Sequence, residues 1–139
     1  MTYLAVPISA KNAAQAAEQV RRAVAGGAEM LELRMDYLEG LSPDLAREVL
    51  RQTRALAGAS VPLIATCRDA REGGAIDYPE PLRLEVLPAA LREGAEFVDV
   101  GQLLVGELGA TGDGPVAVAG DGVDLAVVGE EAIGVRQLP

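Results

Sequence analysis

Three charged side chains, Glu32, Arg34 and Asp36, stand at alternate positions in Glu29-Met30-Leu31-Glu32-Leu33-Arg34-Met35-Asp36-Tyr37. In a β-strand that spacing puts them on one side with Met30, and Leu31, Leu33 and Met35 on the other. A second arginine, Arg68, ends another apolar run, Val61-Pro62-Leu63-Ile64-Ala65-Thr66-Cys67-Arg68, and Arg71-Glu72-Gly73-Gly74 follows as a flexible loop. Two guanidiniums offer fixed forks for a carboxylate or a hydroxyl-rich anion. Glu32 can accept hydrogen bonds from hydroxyls of the same ligand. If the two strands run parallel, Glu32, Arg34, Arg68 and Glu72 emerge at one rim around one cavity, and the ligand is a small polar anion. The competing reading is that the arginines only neutralise Glu32, Asp36 and Glu72 as ordinary ion pairs.

These groups need a sheet to hold them, and the chain supplies one. Tyr3-Leu4-Ala5-Val6-Pro7-Ile8 reads as a first strand, with Pro7 near its end. Asn12 caps a helix, Gln15 completes a capping-box pattern, and Ala13, Ala17, Val20 and Val24 recur at helical spacing until Gly26-Gly27. The Glu-Leu-Arg strand follows. Ser42-Pro43-Asp44 opens a second helix with Leu45, Val49 and Leu56 inside, and Gly58 ends it. A third helix over 79–93 carries Leu84, Leu87 and Leu91 on one side, and Pro88 predicts a kink or a different start. Glu96-Phe97-Val98-Asp99-Val100 is the fourth strand. Gly27-Ala28-Glu29-Met30-Leu31-Glu32 resembles Gly94-Ala95-Glu96-Phe97-Val98-Asp99. The helix end, tight turn, strand and acid recur in step, which predicts a repeated β-α unit and a parallel α/β sheet.

The 139 residues fit one core, and their net charge of −9 argues against nucleic acid and anionic membranes as partners. One cysteine, Cys67, permits no intrachain disulfide and points to a reducing, cytoplasmic setting. No apolar run has transmembrane length, and the first residues lack the basic segment and apolar core of a signal peptide. Residues 102–139 hold 8 of the 16 glycines and a single base, Arg136. This stretch reads as an atypical tail, with a hairpin around Asp121-Gly122. The organisation expected is therefore a β-α domain over 1–101 and a tail over 102–139.

Val6-Pro7-Ile8 with Ala10-Lys11, Glu32-Leu33-Arg34 with Asp36-Tyr37, Thr66-Cys67-Arg68, Arg71-Glu72-Gly73-Gly74 and Val98-Asp99-Val100 come in one order and spacing. Over residues 3–100 this set resembles type I 3-dehydroquinate dehydratase. The resemblance implies part of a (β/α)8 TIM-type barrel, about four parallel β-α units. It implies a shikimate-pathway lyase that converts 3-dehydroquinate to 3-dehydroshikimate and water. That enzyme uses a Schiff-base lysine and a proton-moving histidine, with no metal or organic cofactor. It also implies Glu32, Arg34 and Arg68 as substrate-binding residues, with Asp36 and Glu72 in the active-site surround.

Against that pattern, the chain has no histidine and one lysine, Lys11. The family's later carboxylate-gripping arginine has no counterpart, Gly101 stands where an acid commonly follows the fourth strand, and Pro7 replaces a serine of some members. Val128-Gly129-Glu130-Glu131 through Gln137-Leu138-Pro139 resembles the glycine-rich end of the family's last strand and would bring Gln137 to the substrate. Schiff-base chemistry needs an amine tuned toward neutrality and an acid/base poised near pH 7. Lys11, at a helix start, reads as a solvated residue, so no turnover is expected from this polypeptide alone. A complete barrel takes about 200–250 residues. Four units leave two sheet edges and an exposed apolar inner face, which predicts a homo-oligomer. A non-catalytic anion-binding or self-associating α/β module, or a truncated or frame-shifted product, are the alternatives.

Overall fold

The computed structural model describes residues 4–99. Four strands, β1 (Ala5–Ile8), β2 (Met30–Arg34), β3 (Leu63–Thr66) and β4 (Phe97–Asp99), alternate with helices α1 (Ala13–Ala25), α2 (Pro43–Ala57) and α3 (Glu80–Arg92). The sheet order is β1-β2-β3-β4 with every pairing parallel. This is the partial TIM-type barrel expected from the chain. The expected tail and hairpin, and Gln137, lie outside the described residues.

Local chemistry explains the elements. Asn12 accepts from the Gln15 amide at 2.9 Å. The Gln15 side chain reaches the Lys11 N–H at 3.1 Å rather than that of its cap, so the capping box closes one residue early. Ser42 accepts from the Leu45 amide at 3.1 Å with Pro43 at the helix start. α3 starts close to where expected and runs on through Pro88.

The Gly-Ala-Glu echo proves to be one structural device used twice. Gly27 and Gly94 take positive φ, 87° and 108°. Ala28 donates back to Ala23 and Ala95 to Ala90, each at 3.0 Å, as in a Schellman end. The acid after each turn then secures the neighbouring strand. Glu29 accepts from the Leu4 amide and Glu96 from the Leu63 amide, both at 2.7 Å.

Val6, Ile8, Leu31, Leu33, Leu63, Ala65 and Val98 pack with the helices into the main core. The alternate residues Met30, Glu32, Ile64, Thr66, Phe97 and Asp99 face the other way. An exposed apolar inner face was expected there. Met30 and Ile64 are instead closed from solvent, at 0% and 3% exposed. Among the described residues the exposed large hydrophobic is Leu4. The β1 edge is also blunted. Leu4 turns its backbone to β2, so Pro7 and Ser9 turn theirs away. Pro7 has no N–H, and Gln19 on α1 engages both the N–H (2.9 Å) and the carbonyl (3.3 Å) of Ser9.

Candidate functional site

The site begins where β2 and β3 end side by side. Register pairs Glu32 with Ile64, and places Arg34, Thr66 and Asp99 in one row across three strands. The Glu32 carboxyl is half-buried, and burial pushes its pKa above the usual carboxylate range. Arg34 opposes that rise, Asp99 adds to it, and Arg68 and the Thr66 hydroxyl oppose it. Glu32, Arg34 and Arg68 therefore do share one rim, and Asp99 joins them. Arg68 reaches Asp99 at 3.3 Å.

Arg34 is tied down more firmly than its sequence position suggests. β2 stops at Arg34, and Met35–Tyr37 forms a 3-10 turn. The turn swings Asp36 back under the arginine, where its carboxylate takes two bonds, from Nε at 2.9 Å and Nη2 at 2.8 Å. Asp36 is fully buried and also accepts from the Ala75 amide at 3.0 Å, while its carbonyl accepts from Ile76. Tyr78 accepts from the Leu41 amide and donates to the Leu38 carbonyl. The segments after β2 and β3 are thus zipped together. The Arg34 guanidinium lies over the Tyr37 ring, 5.0 Å from its centre.

The segment expected as a flexible loop is a built turn. Asp69 caps a 3-10 turn over Ala70–Glu72 and Gly73 closes it at φ 93°. The carboxylate of Asp69 holds Arg71 through Nε at 3.1 Å and Nη2 at 2.8 Å, and pairs with Arg83 of α3 at 2.8 Å. These bonds, led by that to Arg71, hold its carboxyl well below the usual range. Arg83 is 2% exposed, inside a helix whose spacing signalled only leucines. Glu72 sits half-buried on this turn. Sequence reasoning gave no role to Thr66, Asp69, Arg83 or Asp99. Two of them carried a signal: Asp99 as the counterpart of Glu32 in the Gly-Ala-Glu echo, and Arg83 as a charge among the apolar positions of α3.

An apolar recess lined by Ile8, Ala10, Ala16, Leu33 and Val49, with Arg34 at its border, belongs to the helix-side core and not to the Glu32 rim. Lys11 is exposed at the start of α1. Among the described residues no cluster of three or more Cys, Asp or Glu could hold a metal ion. Burial pushes the Cys67 thiol up to about 12, so it stays protonated and inert.

Residues 4–104 match the family profile described as Type I 3-dehydroquinase. The chain belongs to that family. A 3-dehydroquinate dehydratase of Methanothermobacter thermautotrophicus is 35% identical over 99 residues, which are 71% of this chain and 42% of that protein. One from Methanosarcina mazei is 35% identical over 85 residues, 60% of this chain and 34% of its own. The chain thus spans less than half the length of either relative. The solved 3-dehydroquinate dehydratase of Geobacillus kaustophilus superposes with a TM-score of 0.72 at 20% identity, over 78% of this chain and 43% of that one. That likeness shows the fold.

In this type I 3-dehydroquinase chain the raised Glu32 carboxyl has a testable consequence. The folded state holds its proton more tightly than the unfolded state, so the folded chain binds more protons above pH 4.5. The contribution to stability is full below 4.5 and is lost as pH rises through the folded pKa. Glu32→Gln is expected to raise the melting temperature at neutral pH and to leave it unchanged in acid. Melting curves across that range check this. An equal gain at both ends would show that burial does not govern the group.

Proposed function

We propose that this chain is the substrate-gripping portion of a type I 3-dehydroquinate dehydratase. On this reading it binds 3-dehydroquinate through Glu32, Arg34 and Arg68, with Asp36 and Glu72 supporting them, and does not turn it over alone. The convergence of Glu32, Arg34 and Arg68 on one rim of a parallel sheet carries the reading. The guanidinium of Arg68 pairs with the ligand's anionic or hydroxyl oxygens in place of its long contact to Asp99. Glu32 accepts from a ligand hydroxyl. Asp36 keeps Arg34 fixed while it donates.

The chemistry of dehydration is the part these 139 residues lack. They include no histidine, and their one lysine, Lys11, is exposed. Lysine nucleophiles are activated by desolvation or a neighbouring cation. The decisive experiment is calorimetry with 3-dehydroquinate, paired with borohydride trapping and intact mass. Heat of binding without a covalent adduct is expected. An adduct on Lys11 would overturn the lack of turnover, and absence of any binding would overturn the gripping role.

The same reading has the chain work in the cytoplasm, in keeping with its lone buried Cys67. Among the described residues no helix is long and apolar enough to cross a membrane. It also has the chain self-associate, because among the described residues the four-stranded sheet ends on β4 without the blunting that Pro7 and Gln19 give the β1 edge. Light scattering is expected to give more than the monomer mass, and a stable monomer removes that part of the reading.

A further inference from the structure

One buried hydroxyl on the rim stands out. Thr66 is 1% exposed, and among the described residues its Oγ1 makes no hydrogen bond. Buried polar groups without partners are uncommon and call for a reason. The neighbouring strand supplies one. Thr66 stands beside Arg34 in the register, diagonal to Glu32 on the same face. It lies close enough to Glu32 to favour the charged carboxylate, yet does not close a bond of normal geometry. The other charged groups that act on Glu32 are Arg34 on β2, Arg68 after β3 and Asp99 on β4. On the β1 side its register partner is Pro7, which has no charge to offer.

We propose that Thr66 is the positioning residue for Glu32: its buried hydroxyl donates to the Glu32 carboxylate when a hydroxylated carboxylate anion occupies the rim, and so fixes the acid in its accepting, ionised form. The hydroxyl never needs to touch the ligand. It needs only the small shift that ligand contact with Glu32 supplies, and it gains a partner when that shift occurs. Binding then relieves an unmet donor, so stability of the free protein and affinity for ligand respond to this residue with opposite sign. The inference rests on the reading that the Glu32 rim binds such an anion.

The test uses the 139-residue chain with 3-dehydroquinate as probe, by calorimetry from acid to neutral pH, with melting curves alongside. Thr66→Val keeps the shape and removes the donor. It is expected to weaken binding about tenfold, the worth of one hydrogen bond, and to move the onset of binding to higher pH. Its melting temperature should equal or exceed that of the parent. Thr66→Ser should restore both affinity and pH profile. Binding by the parent that valine leaves unchanged in strength and pH dependence would overturn the role of Thr66 alone. Failure of serine to rescue, or a clear fall in the valine variant's melting temperature, would also overturn it, because the hydroxyl would then have a structural partner. No binding by the parent would overturn the rim reading and this inference together.

Discussion

Asp36→Ala is expected to remove about 3–5 kcal/mol of stability, the usual cost of stripping one partner from a buried ion pair. Asp36 is 0% exposed, and the Arg34 side chain is 13% exposed. Alanine would leave that guanidinium without its two-pronged acceptor and the Ala75 amide without any side-chain acceptor. The damage spreads, because Asp36 joins the turn after β2 to the segment that leads into α3. Asp36→Asn keeps an oxygen for Ala75 and loses the charge, so it should fall between parent and alanine. Replacing Arg34 and Asp36 together by Met and Leu should recover much of the loss, since no unpaired charge remains. Urea midpoints at constant slope give the comparison. A loss below about 1 kcal/mol would mean the pair behaves like an exposed salt bridge.

Gly74→Ala is the second large effect, and its cause is steric. A Cβ built on Gly74 would lie 2.2 Å from the Arg68 carbonyl oxygen and 2.9 Å from the carbonyl carbons of Arg68 and Asp69. All three are backbone atoms, so no side chain can rotate away. Gly74 also donates to the Asp69 carbonyl at 2.9 Å, which holds the turn shut. The methyl must open that turn, at a cost toward the upper end of the roughly 1–3 kcal/mol typical of overpacking. Opening it carries Arg68 off the rim, so ligand affinity should fall with stability. Gly73→Ala is the control. Gly73 has φ 93° and no neighbour within 4 Å of its added Cβ, so it meets only the left-handed backbone cost of about 1–2 kcal/mol. Thermal melts that rank Gly73→Ala as the more damaging would refute the steric account.

The sequence by itself determined the elements and the rim. Helical spacing, the Asn12 and Ser42 caps and the glycine stops are readable because each depends on neighbours within a turn or two. The Gly-Ala-Glu echo encodes more than a helix end, since Glu29 and Glu96 also clamp the preceding strands. The parallel sheet followed from the β-α repeat, and it brings Glu32, Arg34 and Arg68 to one end.

What the charges do with one another was settled only by the tertiary structure. Spacing puts Asp36 on the side of Arg34 for as long as the strand lasts, but the strand stops at Arg34 and a 3-10 turn puts Asp36 beneath the arginine in a buried pair. The loop after β3 is a turn capped locally by Asp69 and closed by Gly73, but that the same carboxylate also holds the buried Arg83 of α3 is a contact between elements. Asp99 enters the rim across 31 residues, and Thr66 becomes a stranded donor because every residue of its strand is buried. Spacing along a chain fixes which side of an element a residue occupies. Partner and burial depend on the distances between elements, which no local pattern encodes.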